Sequence, residues 1–134
     1  MRSGRPTRFD TRKDPLINAP AFTVAIDASW LRDGGIARMA HEIIARRPDG
    51  VDVVEIRADG ANAGFFTPID LAARARAVRA DAIWSPGFMP PALCVPGKHV
   101  SITLHDLAHL HHYSAKHRIY YNQIIRRLLG NVDR

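Results

Sequence analysis

An α/β fold built on a mainly parallel sheet is predicted by three observations. Short apolar runs alternate with segments of helical character, each run closes on a polar residue and a loop, and the first strand, helix and second strand have the spacing of one βαβ unit. The 134 residues suit one domain of about 100–150 residues.

The first strand is expected over Ala21-Phe22-Thr23-Val24-Ala25-Ile26, ending at Asp27, with the composition of a strand buried on both faces. Beyond the loop through Asp33-Gly34-Gly35, residues Ile36, Met39, Ala40, Ile43 and Ile44 recur at i, i+3, i+4, i+7 and i+8, one apolar stripe of a helix. Arg46 and Arg47 suit the negative end of its dipole, and Pro48 stops it. Val51-Asp52-Val53-Val54-Glu55-Ile56 is the second strand, entered through the Pro48-Asp49-Gly50 turn.

Residues 58–66, rich in Gly, Ala and Asn, form a loop. Thr67-Pro68-Ile69-Asp70 then opens a helix that runs to Arg79, with Thr67 as cap, Pro68 at the first helical position and Asp70 completing a capping-box arrangement. Asp81-Ala82-Ile83-Trp84-Ser85 is the third strand, and Pro86-Gly87-Phe88-Met89-Pro90-Pro91 ends it. His99-Val100-Ser101-Ile102-Thr103-Leu104 is the fourth, closing at His105-Asp106. A last helix extends from Ser114, a good N-cap, to Leu129, with Gly130 and Asn131 as stop signals. Assembled, these elements predict a Rossmann-like three-layer sandwich.

Composition excludes several classes. With 46% hydrophobic and 24% charged residues the chain can bury a core, so wholesale disorder and fibrous repeats are ruled out. No apolar run reaches the roughly 18–20 residues of a membrane span. Met1 to Pro20 lacks the apolar core of a secretory signal, and Cys94 is the single cysteine; the expected compartment is reducing cytoplasm. The net charge of +6 points to an anionic partner without naming it. Residues 1–20 hold Arg2, Arg5, Arg8, Arg12 and Lys13 against Asp10 and Asp14, which makes +3 in a segment read as a flexible basic tail. Residues 21–134 are read as the domain.

Ligands of open α/β sheets sit outside the carboxyl ends of the strands. Function is therefore sought at Asp27 with Gly34-Gly35, at Ser85 to Pro91, and at His105 with Asp106. Glycines ahead of a helix let an anion approach backbone N–H groups at the positive helix end. The dinucleotide fingerprint and the P-loop are both absent. His105 and Asp106 offer an imidazole and a carboxylate for gripping or deprotonating a hydroxyl, or, on the bland reading, local hydrogen bonds and a cap.

Six of the seven histidines lie between His99 and His117, and His105, His109, His111 and His112 raise a metal site. His105 and His109 have chelating i, i+4 spacing, but the glutamate of the zinc-protease pattern is missing, so no metal is expected. A basic nucleic-acid-binding module is the first alternative class, weakened because no stripe of interleaved basic and aromatic residues is present. A small metal-dependent or His/Asp-dependent hydrolase is the second.

The order of four motifs resembles a family. Val24-Ala25-Ile26-Asp27, Gly34-Gly35-Ile36-Ala37-Arg38, Asp81-Ala82-Ile83-Trp84-Ser85-Pro86 and Ser101-Ile102-Thr103-Leu104-His105-Asp106-Leu107 are similar to the N-terminal half of retaining group 1 (family 4) glycosyltransferases, over nearly all of 22–134. Ala37 and Met39 depart from the family's Gly-Ile-Gly-Arg-Tyr, while Gly35 and Arg38 keep it. The resemblance implies a GT-B architecture of two Rossmann-like domains, of which this chain is the acceptor-side one. It places Gly34, Gly35 and Arg38 at the donor diphosphate, His105 at the transferred sugar, Asp106 at the loop or acceptor, and Asp27, Ser85 and Pro86 on the acceptor side. The partners it implies are a nucleotide-sugar donor and a glycan or lipid-linked acceptor, with no nucleic acid and no metal cofactor. Contact with the inner face of the plasma membrane through Arg74, Arg76, Arg79, Arg126 and Arg127, and self-association through the cleft-facing surface, are further expectations. The donor-binding domain and its Glu-x7-Glu motif lie outside these residues, so the 134-residue chain is expected to be a truncated half, inactive alone.

Overall fold

The computed structural model describes residues 22–59, 64–105 and 114–133. Four parallel strands, β1 (Phe22–Asp27), β2 (Val51–Ile56), β3 (Ala82–Ser85) and β4 (His99–Ile102), form one sheet in the order β2-β1-β3-β4. Helix α1 (Gly35–Ala45) joins β1 to β2, and α2 (Thr67–Ala77) lies between β2 and β3. The third helix, α3, begins as Ala115–Tyr120, passes through a π turn at Tyr121–Ile125 and resumes at Arg126–Leu128, so it spans 115–128. This is a Rossmann-like α/β arrangement. No described helix is long and apolar enough to cross a membrane.

Pairing register sorts the strand residues onto two faces. Ala25 lies beside Ile83, which lies beside Val100, and this row is covered by Leu71 and Ala75 of α2, Tyr121 and Ile125 of α3, and Met89 and Val95 of the β3–β4 connection. The opposite row, Val24, Val53 and Trp84, meets Ile43 and Ile44 of α1 around a cavity of about 250 Å³. Ile26, Leu71, Ile83 and Ile125 are completely or almost completely buried, each contributing about 1.5–3 kcal/mol relative to exposure.

Three elements differ from expectation. In α1 the buried side chains are Ala37 and Ala40, whereas Ile43 is 50% exposed; two methyl side chains let the helix axis approach the strands, and the bulkier stripe turns to the rim. In α2 the helix ends at Ala77 rather than Arg79, Phe66 occupies the N-cap, and no side chain caps it. Asp70 instead accepts the Asp59 N–H (2.5 Å) and the Arg74 Nε–H (3.3 Å). Ser114 stands at the N-cap of α3 but spends its hydroxyl on His117 Nδ1 (2.9 Å) rather than on a backbone N–H. Pairing of β4 outlasts its strand geometry, since Thr103 N–H still reaches Ser85 O (2.9 Å).

Between β3 and β4 the chain crosses without a helix. Pro86, Pro90, Pro91 and Met89 are fully buried there. Their rigid, donor-poor backbone has few N–H groups to satisfy in the interior. Ala92 N–H bonds Pro68 O (2.8 Å), Arg76 donates twice to Cys94 O (3.2 and 2.7 Å), and Asn131 Nδ2 reaches Pro91 O (3.0 Å). Lys98 Nζ donates to Ala75 O (2.6 Å) and to Val78 O, placing a cation on the negative end of α2.

Two consequences can be measured. Ala40→Leu is expected to destabilise the fold by about 1–3 kcal/mol through overpacking, while Ile43→Lys changes it by less than about 0.5 kcal/mol; urea denaturation with the reverse ranking would return the isoleucine stripe to the core. Lys98→Met, which keeps the stem and removes the donors, should cost about 1–2 kcal/mol by the same measurement.

Candidate functional site

After β1 the chain turns to β2 on one side, then returns past β1 to β3 on the other. The ends of β1 and β3 therefore flank the point where strand order reverses, the place where open α/β sheets hold their ligands. Asp27 closes β1 and Ser85 closes β3. Both are buried, at 0% and 2% exposure, and Ser85 Oγ donates to Asp27 Oδ2 (3.3 Å). Asp27 Oδ1 accepts the Ser29 N–H (3.1 Å), which caps the short 3₁₀ turn Ala28–Trp30. Both carboxylate oxygens are thus engaged within the protein, and Asp27 positions its neighbours.

That turn delivers the loop to α1. Gly34 is the N-cap with φ of 94°, a left-handed backbone that costs other residues steric strain. The loop and helix start form an open cleft of about 450 Å³ lined by Ser29, Trp30, Arg32, Asp33, Gly34, Gly35 and Ile36. The positive end of an 11-residue helix faces it. Ser29 Oγ and Trp30 Nε1 are buried polar atoms without a partner in the protein, and a buried donor left unmade is costly.

Trp30 is held by its neighbours on the β3 side. Its ring meets Phe88 edge-on at 5.5 Å, and a Cβ at Gly87 would overlap the indole. Only glycine lets the chain after β3 pass under that ring.

His105, just past β4, is exposed at the residue level and anchored through Nε2 to Pro86 O (2.7 Å). A carbonyl only accepts, so Nε2 carries the proton and Nδ1 is the ring atom left for chemistry. Asp27, Ser85, Pro86 and His105 are thereby linked across the carboxyl edge of the sheet in one chain of contacts.

Of the residues singled out from sequence, Gly34 and Gly35 line the cleft, and Arg38 is exposed outside its lining. Asp106, with His109, His111 and His112, lies outside the described residues. Among the described residues no group of three His, Cys, Asp or Glu side chains gathers as a metal site would. Ser29, Trp30 and Arg32 are site residues that sequence reasoning passed over; their only signal was position, between the end of a buried strand and a Gly-Gly helix start.

No family model, curated protein or solved structure matches this chain. The residues of the cleft therefore carry the functional argument themselves.

Gly87→Ala is expected to push Trp30 from its seat, costing about 1–3 kcal/mol and red-shifting tryptophan emission in a Trp84→Phe background. Unchanged emission and stability would show that the ring is not fixed by that contact.

Proposed function

We propose that the chain is the acceptor-side half of a retaining group 1 glycosyltransferase of GT-B architecture, moving a sugar from a nucleotide-sugar donor to a glycan or lipid-linked acceptor. One observation carries the reading. The N-terminus of α1 and the unpartnered, buried Ser29 hydroxyl line the same cleft at the switch point of the sheet, and such a set of donors suits a phosphate oxygen.

In that reaction the bond between the anomeric carbon and the diphosphate oxygen breaks, and a bond to an acceptor hydroxyl oxygen forms on the same face. Negative charge develops on the leaving diphosphate. Gly34 and Gly35 let it approach the helix end, Ser29 Oγ donates to it, and Arg32 supplies a full positive charge at the cleft wall. Fixed donors aimed at developing charge need no reorganisation during the step, which is what makes them effective. His105, with Nε2–H committed to Pro86 O, presents Nδ1 toward sugar hydroxyls as an acceptor when neutral. The Asp27–Ser85 contact holds the two strand ends that carry these groups. Donor selection and the Glu-x7-Glu motif belong to the partner domain, so sugar transfer is expected only from a protein containing both halves.

The test is titration of the chain with a nucleoside diphosphate and with inorganic pyrophosphate, followed by calorimetry. Both should bind, and Ser29→Ala should weaken them about twofold to tenfold, the factor for one hydrogen bond of 0.5–1.5 kcal/mol. Absence of binding to the wild-type chain, equal affinity of the variant, or sugar transfer by the 134-residue chain alone would each overturn this reading.

A further inference from the structure

Large apolar side chains left in water are concentrated at one place. Phe65, Phe66 and Ile69, at the start of α2, are 63%, 72% and 55% exposed, and Ile119, in the first turns of α3, is 63% exposed. Ring contacts make this one surface. Phe65 meets Phe66 at 5.3 Å and Tyr120 at 6.3 Å, and Tyr120 OH donates to Gly64 O (3.2 Å), tying the two helix starts together. Burial pushes the Tyr120 phenol above its ordinary range, so it remains a neutral donor. Isolated exposed apolar residues are ordinary, but a joined aromatic patch marks an interaction surface.

Charge decides what the surface fits. Lys116 and Arg118 are exposed beside Ile119, and α3 contains no Asp or Glu over 115–128. The acidic groups next to α2 are Asp59 and Asp70, and both engage Arg74, at 2.7 and 3.3 Å. A two-fold contact between copies of this chain would set Lys116 and Arg118 against their own equivalents. The remaining fit is an apolar layer under an anionic one. Arg74 and Arg76, candidates from the sequence for headgroup contact, are instead bound to Asp59, Asp70 and the Cys94 carbonyl.

We propose that Phe65, Phe66, Ile69 and Ile119 seat the domain on an anionic membrane surface, the rings entering the boundary between headgroups and acyl chains while Lys116 and Arg118 meet the headgroups. Helices that follow parallel strands begin at the carboxyl edge of the sheet, so the seat lies on the same edge as the Ser29 cleft. This surface stands whether or not the cleft transfers sugar, and vesicle binding reads it separately.

Flotation of the full chain is measured with phosphatidylcholine vesicles, with and without phosphatidylglycerol. Binding is expected only with phosphatidylglycerol and should fall with salt. Phe65→Ser with Phe66→Ser should lower partitioning at least about tenfold, and Lys116→Ala with Arg118→Ala about 25-fold, from roughly fivefold per cation. The substituted side chains are exposed, so circular dichroism should be unchanged. Absence of flotation overturns the proposal, as does flotation indifferent to both pairs, which would transfer binding to the basic segment 1–20. A dimer lost with the phenylalanine pair and no vesicle binding would make the patch a self-interface and overturn it too.

Discussion

A buried carboxylate organises the carboxyl edge of the sheet. Removing Asp27 from water costs several kcal/mol unless hydrogen bonds replace those of hydration, and the two that do so come from different places, the Ser29 N–H of the following turn and the Ser85 hydroxyl of β3. Meeting that requirement fixes where β1 stops, how the turn Ala28–Trp30 leaves the sheet, and the height of β3 beside it. A leucine at position 27 would satisfy the hydrophobic core equally well but would give the turn no acceptor. The arrangement of the cleft is therefore set by a polar obligation inside an otherwise apolar sheet.

The crossing from β3 to β4 extends the same frame. A parallel connection usually needs a helix to satisfy its backbone on the way back, and this one uses prolines, which carry no N–H to satisfy. Arg76, Lys98 and Asn131 supply donors to its carbonyls and to the end of α2. With Gly87 beneath Trp30 and Pro86 O holding His105, the segment serves as the floor between the cleft and the imidazole.

What could be read from sequence follows from how local each signal is. Val51–Ile56 has the same bounds in sequence and structure, and the other strands shift by one or two residues, because apolar runs broken by Asp, Gly and Pro are local statements. The face of α1 was not local. Periodicity chose Ile36, Met39 and Ile43, yet Ala37 and Ala40 are buried, since helix–sheet distance depends on what the strands present. The capping role expected of Asp70 lost to a stronger local partner, Arg74 one turn along. Gly34 and Gly35 announced themselves by composition. Ser29 did not, because an unsatisfied hydroxyl is visible only when every neighbour has been placed. Phe65 and Phe66 sat at the end of a segment read as polar loop, where two aromatic residues alone distinguish a patch from a core.

Net charge illustrates the same limit. The surplus of +6 suggested an anionic partner, but much of the basic content is committed inside the domain. Arg47 donates to Ile44 O and Val51 O, Arg76 to Cys94 O, and Lys98 to the last carbonyls of α2. Arg46 faces Glu42, and Arg74 faces Asp59 and Asp70. Cations tied to carbonyls retain their charge but lose the freedom to form contacts with a partner, and paired ones lose both. Those with neither kind of tie, Lys116 and Arg118 among them, stand beside exposed aromatic rings. Position, more than total, therefore gives the basic balance its meaning.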